Sequence, residues 1–426
     1  MKTPTLLLLL TCAIAWGACS TKEDNQCKPR VLISTDIGGT DPDDNQSMAH
    51  LLMYSDRLEI EGLVSSPSFG NGSKEEILRM IDLYEKDYPK LSRHIEGLTP
   101  PDVLRPLCKQ GRHGNFPFLG PQGATEGSEW IVQCARKESD RPLWVLVWGG
   151  LEDLAQALHD APDIAPRIRV YWIGGPNKKW CVNSYHYIAA NFPNLWMIEN
   201  NASYRGFISD GKRQERHHAL YYDECIAGAG HLGEDFIDYY KGVVKMGDTP
   251  SLLYLLHGEP DYPEGESWGG SFERITHSPR TLFERHTTLQ DTVAVYSIIE
   301  YRLSGPCTDL ESGTPCFTFC IDKQEWPGHY LGDGIYGVRY AAKAPATLTY
   351  TLSSDIPALD GCSGSIVISS VWPGKETSEG YALGCQWHTD RGDTLLYEGK
   401  WQGAKSVSRW REEVLDDWAR RWEYLK

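Results

Sequence analysis

The stretch LISTDIGGTDPDDNQSMAHLL, residues 32–52, joins an apolar run to a run with apolar residues at helical spacing. Its four aspartates fall within nine residues and are Asp36, Asp41, Asp43 and Asp44. Like charges held this close disfavour each other's ionised form unless a cation lies among them. A metal site, a sugar-binding site and a solvated acidic loop are the three interpretations that fit this pattern.

The local pattern predicts a strand, a turn and a helix. Residues 30–34 (RVLIS) are typical of a short buried strand, GGTDP has turn residues, and NQSMAHLL has helical periodicity. A strand that delivers Asp36 to a glycine-rich turn, followed by a helix opening with Asp43 and Asp44, suits a hard cation with several oxygen ligands. Asp43 also suits a simple role at the helix N-terminus, because the helix dipole favours negative charge there.

Strands and helices alternate over the first part of the chain. Strand-like runs such as LEIEGLVS, LWVLVWGG and RIRVYWIGG are separated by helical runs such as SKEEILRMIDLYEK and LEDLAQALHDA. This alternation predicts an α/β fold with a mainly parallel sheet and helices on both faces. Ligands of such sheets bind at the carboxyl ends of the strands, where Asp36, Ser65, Trp148 and Gly174 are expected.

The pattern changes in the C-terminal third. From about Asp291 to Cys385 the chain has short alternating runs separated by Gly, Pro and Ser, which predicts a small β-sandwich-like domain. The chain ends in a helical run with Trp410, Trp418 and Trp422 on one face, which we expect to pack on the core.

Composition limits the partners. The net charge is −16 and no block of Lys and Arg stands out, which argues against nucleic acid and anionic membrane surfaces as partners. The chain has 15 Trp and 22 Tyr, which suit either a large core or surfaces that stack on sugar rings. No oligomeric state follows from the sequence, and an oligomer stays open.

The N-terminus has the pattern of an export signal. Lys2 precedes an apolar run too short for a membrane helix, and the run closes at AWGACS. AWGACS resembles a bacterial lipobox with Trp16 in place of the usual Leu, and the following STKEDN resembles the acidic export tag of surface lipoproteins. We therefore expect residues 1–19 to be a lipoprotein signal peptide. The expected product is extracytoplasmic and anchored to the outer membrane through a lipid on Cys19, with a plain secreted protein as the alternative.

Ten cysteines remain from Cys27 onward, and an oxidising compartment permits disulfides among them. A disulfide in the C-terminal third is plausible, because five of these cysteines lie between Cys307 and Cys385. Their pairing cannot be deduced from the sequence.

The aspartate turn resembles the signature of nucleoside-hydrolase-like proteins, Asp-Pro-Gly-x-Asp-Asp after a strand. It is closer to the Sde182-like, cellulose-binding-protein-like branch of bacterial lipoproteins, with Thr40 as one extra residue. Further blocks resemble the family in the same order, over roughly residues 30–274 and the last thirty residues. They are EGLVSSPSFGNGSKEE, RHGN, VLVWGGLEDLAQAL, VYWIGGPN, MGDTPSLLYLL, SWGGSFER and SRWREEVLDDWARRW.

The resemblance implies a calcium-dependent hydrolase of glycosyl bonds. It assigns Ca²⁺ to Asp36, Asp44, Asp248 and the carbonyl of Trp148, with Asp36 as general base. It assigns sugar hydroxyls to Asp43 and Asn71, and we add further candidates for substrate contact: His113, Asn177, Asn183, Glu199 and Trp268. The alternative function is a non-catalytic carbohydrate-binding surface lipoprotein.

Two departures from the family pattern matter. Gly247 stands where many nucleoside hydrolases have a histidine that protonates the leaving base, and the histidines weighed as replacements are His113, His217, His218 and His277. We therefore place a furanoside or another glycan-derived glycoside before a nucleoside as substrate.

The second departure is about a hundred residues of β-type sequence before the terminal helix, which the family places soon after the SWGGSFER block. This predicts a hydrolase-like first segment over 28–288, a β-rich insertion over 289–391, and a returning C-terminal helix over 392–426.

Overall fold

The structure is a computed structural model that describes residues 28–39, 43–208, 220–238 and 243–426. The predicted signal peptide with Cys19, the turn residue Asp41, and both His217 and His218 lie outside these ranges. Among the helices of the described ranges, none is long and apolar enough to cross a membrane.

The first sheet has eight strands in the described part of the chain, of which seven are parallel to one another and one edge strand is antiparallel. In spatial order the strands are β3 (Cys108–Gln110), β2 (Glu59–Ser65), β1 (Arg30–Thr35), β4 (Leu143–Val147), β5 (Ile168–Ile173), β6 (Trp196–Asn200), β18 (Trp387–Asp390) and β7 (Phe272–Arg274).

Helices cover both faces of this sheet, and two apolar cores result. Val31 and Ile33 of β1 pack into one core while Leu32 packs into the other, because successive side chains of a strand point to opposite faces. The helices are α1 (Asp43–Met53), α2 (Lys74–Leu91), α3 (Pro101–Leu104), α4 (Glu126–Arg136), α5 (Glu152–Asp160), α6 (Pro176–Trp180), α7 (Val182–Asn191), α8 (Gly230–Asp238), α9 (Thr249–Leu256), α10 (Lys405–Ser408) and α11 (Arg411–Glu423).

Local signals explain where several helices begin. Ser73 precedes α2 and its hydroxyl accepts a hydrogen bond from the backbone N–H of Glu76 (3.2 Å). Short 3₁₀ segments connect other elements, at Arg105–Leu107, Pro162–Arg167, Ser203–Phe207 and Thr394–Leu396, and a π-helical turn spans Tyr222–Ile226.

The second sheet also has eight strands within the described residues, and its interior pairs are antiparallel. In spatial order they are β10 (Thr292–Ala294), β16 (Ser363–Ser369), β15 (Ala346–Ser353), β12 (Pro315–Ile321), β13 (Gln324–Gly332), β14 (Ile335–Tyr340), β11 (Ile298–Ser304) and β9 (Arg280–Phe283), while β8 (His277–Ser278) pairs with β17 (Tyr381–Ala382). The predicted fold class, a mainly parallel sheet flanked by helices plus a small β-rich domain, is confirmed.

The two sheets exchange strands near the predicted domain boundaries. β9 belongs to the second sheet although it precedes residue 289, and β18 belongs to the first sheet although it precedes residue 392. The chain therefore leaves the first sheet after β7 and re-enters it at β18. One apolar core contains buried side chains from both sheets, including Trp172 of β5 and Phe319 of β12, so the two units pack against each other.

The C-terminal helix α11 packs on the first sheet's helical layer. Trp418 and Trp422 are fully buried, and the Trp418 ring centre lies 4.7 Å from the ring centre of His50 on α1. Arg421 forms an ion pair with Asp56, which fixes the far end of the helix.

Cysteines between Cys108 and Cys385 are free thiols throughout the described ranges, so the expected disulfide in the C-terminal third does not form there. Cys108, Cys134 and Cys181 are buried and act as small apolar side chains.

Candidate active site

An acidic cluster lies at the carboxyl end of β1. Asp36 follows the strand, Asp43 and Asp44 open α1, and Asp248 immediately precedes α9. Carboxylate oxygens of Asp43, Asp44 and Asp248 lie within 4.8 Å of one another. Two segments about 200 residues apart in sequence thus bring their carboxylates to one point.

Side-chain hydrogen bonds hold these two segments together. The Gln46 side-chain oxygen accepts hydrogen bonds from the backbone N–H groups of Lys245 (2.8 Å) and Met246 (3.1 Å), just before Asp248. The Thr249 hydroxyl donates to the Ser47 hydroxyl at 3.0 Å. The position of Asp248 relative to α1 is therefore fixed by neutral polar groups.

The cluster carries an excess of negative charge. Burial raises the pKa of Asp44 well above its ordinary value, and the nearby carboxylates of Asp36 and Asp43 raise it further. Thr35 donates a short hydrogen bond to Asp44 and partly opposes this shift. Lys245 adds a positive charge, with its Nζ 3.9 Å from Asp43 Oδ2.

A hard divalent cation fits this donor set. Three carboxylates supply oxygen ligands at one point, and a bound cation would replace their mutual repulsion by attraction. The Asp248 side chain makes no capping hydrogen bond to α9.

Asn177 of α6 organises the ends of three strands. Its Nδ2 donates to the carbonyl oxygens of Trp148 (2.8 Å) and Ile173 (3.0 Å), and its Oδ1 accepts from the Ser68 hydroxyl (2.8 Å). A carbonyl oxygen has two lone pairs, so this contact leaves one acceptor site on Trp148 for a further partner. Asn177 thus acts as a positioning residue for a proposed metal ligand.

Gly247 is explained by its neighbour Asp43. A Cβ atom at position 247 would lie 2.5 Å from Asp43 Oδ2, closer than real Cβ contacts. A histidine side chain here would displace the Asp43 carboxylate from the cluster. Glycine at position 247 therefore leaves the Asp43 carboxylate in its place in the cluster.

The acidic cluster opens into a cleft of about 290 Å³. Its lining includes Asp36, Asp43, Asp44, Trp148, Asn177 and Asp248, all of which were candidates from the sequence. The cleft also contains side chains that sequence reasoning missed: Phe69, Trp180, Tyr204, Arg205, Lys245, Gln324 and Lys343. Gln324 and Lys343 come from the second sheet's domain, which therefore forms part of the cleft wall.

Asn71 and His113, which were predicted to contact substrate, lie at a turn that does not line this cleft. Asn71 is exposed and its Oδ1 accepts a hydrogen bond from the backbone N–H of Gly114 (2.8 Å). His113, also exposed, lies in that turn. Asn71 therefore stabilises the loop that carries His113.

Asn183 lines a neighbouring cavity and connects the two units. Its Nδ2 donates to the Phe116 carbonyl (3.1 Å), and its Oδ1 accepts from Arg339 of β14 (3.2 Å). His277 lies in β8, with Nε2 3.3 Å from the Gly374 carbonyl, and does not line the acidic cleft.

Glu199 and Trp268 do not fit the substrate roles expected of them. Glu199 is fully buried and accepts hydrogen bonds from Lys178, Tyr185 and Asn201, so it neutralises a buried lysine. Trp268 stacks on His257 with ring centres 5.0 Å apart, outside the cleft lining. The sequence alone does not show that Glu199 pairs with a buried lysine or that Trp268 stacks on a histidine.

Residues 30–272 match the family model described as cellulose-binding Sde182, nucleoside hydrolase-like domain, which is more than half of the chain. The chain belongs to this Sde182 nucleoside hydrolase-like family. The resemblance found in the sequence is thereby confirmed. Residues 292–355, within the second sheet, match a domain family of unknown function. No curated protein sequence matches the chain.

Solved structures resemble this family member in fold. A nucleoside hydrolase-related hypothetical protein from Saccharophagus degradans, associated with carbohydrate metabolism, is 18% identical, and the match covers 80% of this chain and 99% of that one at a TM-score of 0.50. An inosine-uridine preferring nucleoside hydrolase from Bacillus anthracis is 16% identical, with 59% and 87% covered and a TM-score of 0.39. The first similarity shows a shared fold over most of the chain.

Proposed function

We propose that the chain hydrolyses a glycosyl bond, with a furanosyl bond of a glycan-derived substrate preferred and nucleosides second. The observation that carries this proposal is the convergence of Asp43, Asp44 and Asp248 beside Asp36, in a cleft at the carboxyl ends of parallel strands. Hydrolysis uses both a cation site and a carboxylate base beside it, and this group of carboxylates can supply both. The family's description as cellulose-binding and nucleoside hydrolase-like supports a sugar substrate.

We assign the metal site to Asp36, Asp44, Asp248 and the Trp148 carbonyl, with Ca²⁺ as the ion. A bound calcium ion would lower the pKa of a water molecule in its coordination shell. Asp43, whose carboxylate joins the same cluster, is our candidate for a further ligand or for an acceptor of sugar hydroxyls.

Asp36 is the proposed general base. It packs against Gly149, where a Cβ would lie 2.7 Å from the Asp36 Cβ, so the absent side chain makes room for the carboxylate. Asp36 accepts the proton of the water that attacks the anomeric carbon, and the sugar passes through an oxocarbenium-like state.

No histidine lines the cleft among the described residues, so a leaving group needs another donor. Burial raises the pKa of Tyr204 to about 12, which keeps its hydroxyl protonated at neutral pH. Tyr204 lines the cleft and is our candidate for a hydrogen bond that stabilises the departing oxygen, which takes its proton from solvent as its bond to the anomeric carbon breaks.

The test is release of reducing sugar from a panel of furanosides, pyranosides and nucleosides, with Ca²⁺ or with a chelator. We expect release from one sugar class, loss of release with the chelator, and a fall of about 10³-fold in Asp36→Asn. Asp163→Asn, at an exposed ion pair with Arg136, is the matched control and should keep full activity. Turnover that persists in the chelator would contradict the metal assignment.

Carbohydrate binding without catalysis is the second candidate function. The family's description as cellulose-binding and the exposed ring of Phe69 at the cleft favour it. This function predicts that the wild type hydrolyses no substrate of the panel. It also predicts that the wild type and Asp36→Asn bind the same sugar with equal affinity.

We further propose an extracytoplasmic location with a lipid on Cys19. The supporting feature is the AWGACS run after a short apolar segment. Incorporation of labelled fatty acid into the wild type, and its loss in Cys19→Ser, would test this assignment.

A further inference from the structure

A second cavity lies directly beside the acidic cleft. It holds about 190 Å³ and shares Ser68, Phe69 and Trp180 with the cleft, so these residues form the boundary between the two spaces. The opposite wall comes from the second sheet, through Glu325, Trp326, Pro327 and Arg339. The two cavities therefore adjoin each other at the junction of the two sheets.

Three aromatic rings line these adjoining cavities. The Phe69 ring centre lies 4.4 Å from that of Trp180, and Trp180 stacks on Trp326 at 5.3 Å with an interplanar angle of 11°. Phe69 is 46% exposed, so its ring is accessible to a ligand in either cavity. The rings belong to the loop after β2, to α6 and to β13, so one aromatic surface joins both units.

The loop that carries Phe69 is held rigidly. Ser66 N–H donates to the Thr35 carbonyl (2.8 Å), and Gly150 N–H donates to the Pro67 carbonyl (2.9 Å). Ser68 donates to Asn177, the residue that also contacts the Trp148 carbonyl. The aromatic surface is therefore fixed in relation to the proposed metal ligand, and binding to it requires little ordering of the protein.

A cation strengthens the second sheet's part of the surface. Lys179 Nζ lies 5.1 Å from the Trp180 ring centre and 4.9 Å from that of Trp326, and pairs with Asp322 at 2.9 Å. These contacts hold α6 against β13. The second sheet's domain is thus an integral wall of the cavity.

We propose that this second cavity binds the next sugar residue of an oligosaccharide whose terminal residue lies in the acidic cleft. The inference rests on the proposed function, because it takes a sugar to be the occupant of the cleft. A sugar ring presents an apolar face for an aromatic ring and hydroxyls at its edge for polar groups. The cavity offers both, with the exposed Phe69 ring for the face and Asn115 and Glu325 for the edge. The substrate class is therefore an oligosaccharide of at least two residues.

The experiment measures binding in the full chain carrying Asp36→Asn, so that turnover does not interfere. Isothermal titration calorimetry with Ca²⁺ compares a monosaccharide with its tetrasaccharide in three series: glucose and cellotetraose, xylose and xylotetraose, arabinose and α-1,5-arabinotetraose. In one series we expect the tetrasaccharide to bind at least tenfold more tightly than the monosaccharide.

Phe69→Ala is the deciding variant, because an exposed ring can be removed with little effect on folding. We expect it to weaken tetrasaccharide binding about tenfold, the loss of one aromatic contact, and to leave monosaccharide binding unchanged. Tyr262→Ala removes an aromatic ring that is 56% exposed outside both cavities, and should change neither affinity. Glu325→Ala tests the second sheet's contribution and should give a smaller loss, again confined to the tetrasaccharide.

The outcomes separate this inference from the proposed function. If no sugar is released by the wild type but the Phe69-dependent length preference is found, the hydrolase proposal fails and the subsite stands. If sugar is released but Phe69→Ala binds every length as Asp36→Asn alone does, the subsite is overturned. Absence of length-dependent binding in all three series, or Phe69-dependent binding of inosine in place of oligosaccharides, overturns it as well.

Discussion

Each of the two units buries a cluster of charged side chains, and the two clusters have opposite net charge. In the second sheet, Glu300 is fully buried among three arginines, and nitrogen atoms of Arg280, Arg302 and Arg339 each lie 2.8 Å from its carboxylate. In the acidic cleft, Asp44 is almost as deeply buried but lies beside further carboxylates. One cluster has an excess of cations around one anion, and the other has an excess of anions.

The neighbouring charges decide in which direction the pKa of the buried carboxyl group moves. Burial alone would raise the pKa of Glu300, but Arg339 and Arg280 outweigh it and lower that pKa to about 2. The pKa of Asp44 moves the other way, because burial and its neighbours act in the same direction. The charge of Glu300 is balanced by arginines of the chain, whereas the excess of carboxylates in the acidic cleft supports the proposed cation.

Glu300→Gln should have the largest effect. It leaves Arg339 buried without its anion, and removal of one partner from a buried ion pair costs about 3–5 kcal/mol in free energy of unfolding. Urea unfolding measures this, with Asp163→Asn as the exposed control that should not change the midpoint. A loss below about 1 kcal/mol would mean that the cluster is not a stabilising one.

The second prediction is that low pH removes the contribution of ionised Glu300 to the free energy of unfolding. Because its folded-state pKa is lowered, the stabilisation is complete above the ordinary glutamate pKa of 4.5 and is lost as pH falls toward about 2. The shift corresponds to about 3 kcal/mol. Urea unfolding at several pH values should therefore show a weaker acid dependence in Glu300→Gln than in wild type. Parallel curves would show that the arginines around Glu300 do not set its acid dependence.

Asp44→Asn should behave in opposite ways with and without calcium. With the chelator, loss of one repelling charge should make the variant at least as stable as wild type. At a Ca²⁺ concentration about 100 times its Kd, wild type should gain about 2.7 kcal/mol and the variant much less. Thermal unfolding in both buffers measures this, and an equal gain in the two proteins would exclude Asp44 as a ligand.

Gly247→Ala should give the smallest of these effects. The added Cβ meets Asp43 Oδ2 at 2.5 Å, and because this oxygen ends a side chain that can rotate, we expect a loss of about 1 kcal/mol, the low end for overpacking, and weaker calcium binding. Asp43→Ser should relieve the clash, so the double variant should be less destabilised than the sum of the single variants. Strict additivity would show that Asp43 is not the group displaced.

Local sequence was sufficient for the first half of the site. The strand, turn and helix around Asp36, Asp43 and Asp44 follow from short-range patterns, and parallel strands place their carboxyl ends at one edge of a sheet. Asp248 is found only through resemblance to a family, because nothing local relates it to α1. The contact made by Gln46 with the segment before Asp248 is a tertiary one.

The rest of the cleft depends on how the second sheet docks. Gln324 and Lys343 enter the cleft only because β13 packs beside α6, and no spacing in the sequence encodes that contact. Phe69 is visible in the SSPSFGNG loop, but its exposure is a property of the folded chain. Glu199 was predicted to contact substrate because it is a polar residue at the end of a strand. In the structure it lies in the interior, where Lys178 neutralises its charge.

The exchange of strands between the sheets has a consequence for the order of folding. β18 pairs with β6 on one side and β7 on the other, so the first sheet is complete only when residues 387–390 are present. An emerging chain that has passed residue 288 still exposes the edge of β6, and unpaired edges of this kind attract other strands. The pairing of β6 with β18 joins residues far apart in sequence, which favours slow folding. Synthesis of residues 387–390, which follow all strands of the second sheet, is thus the event that completes the first sheet.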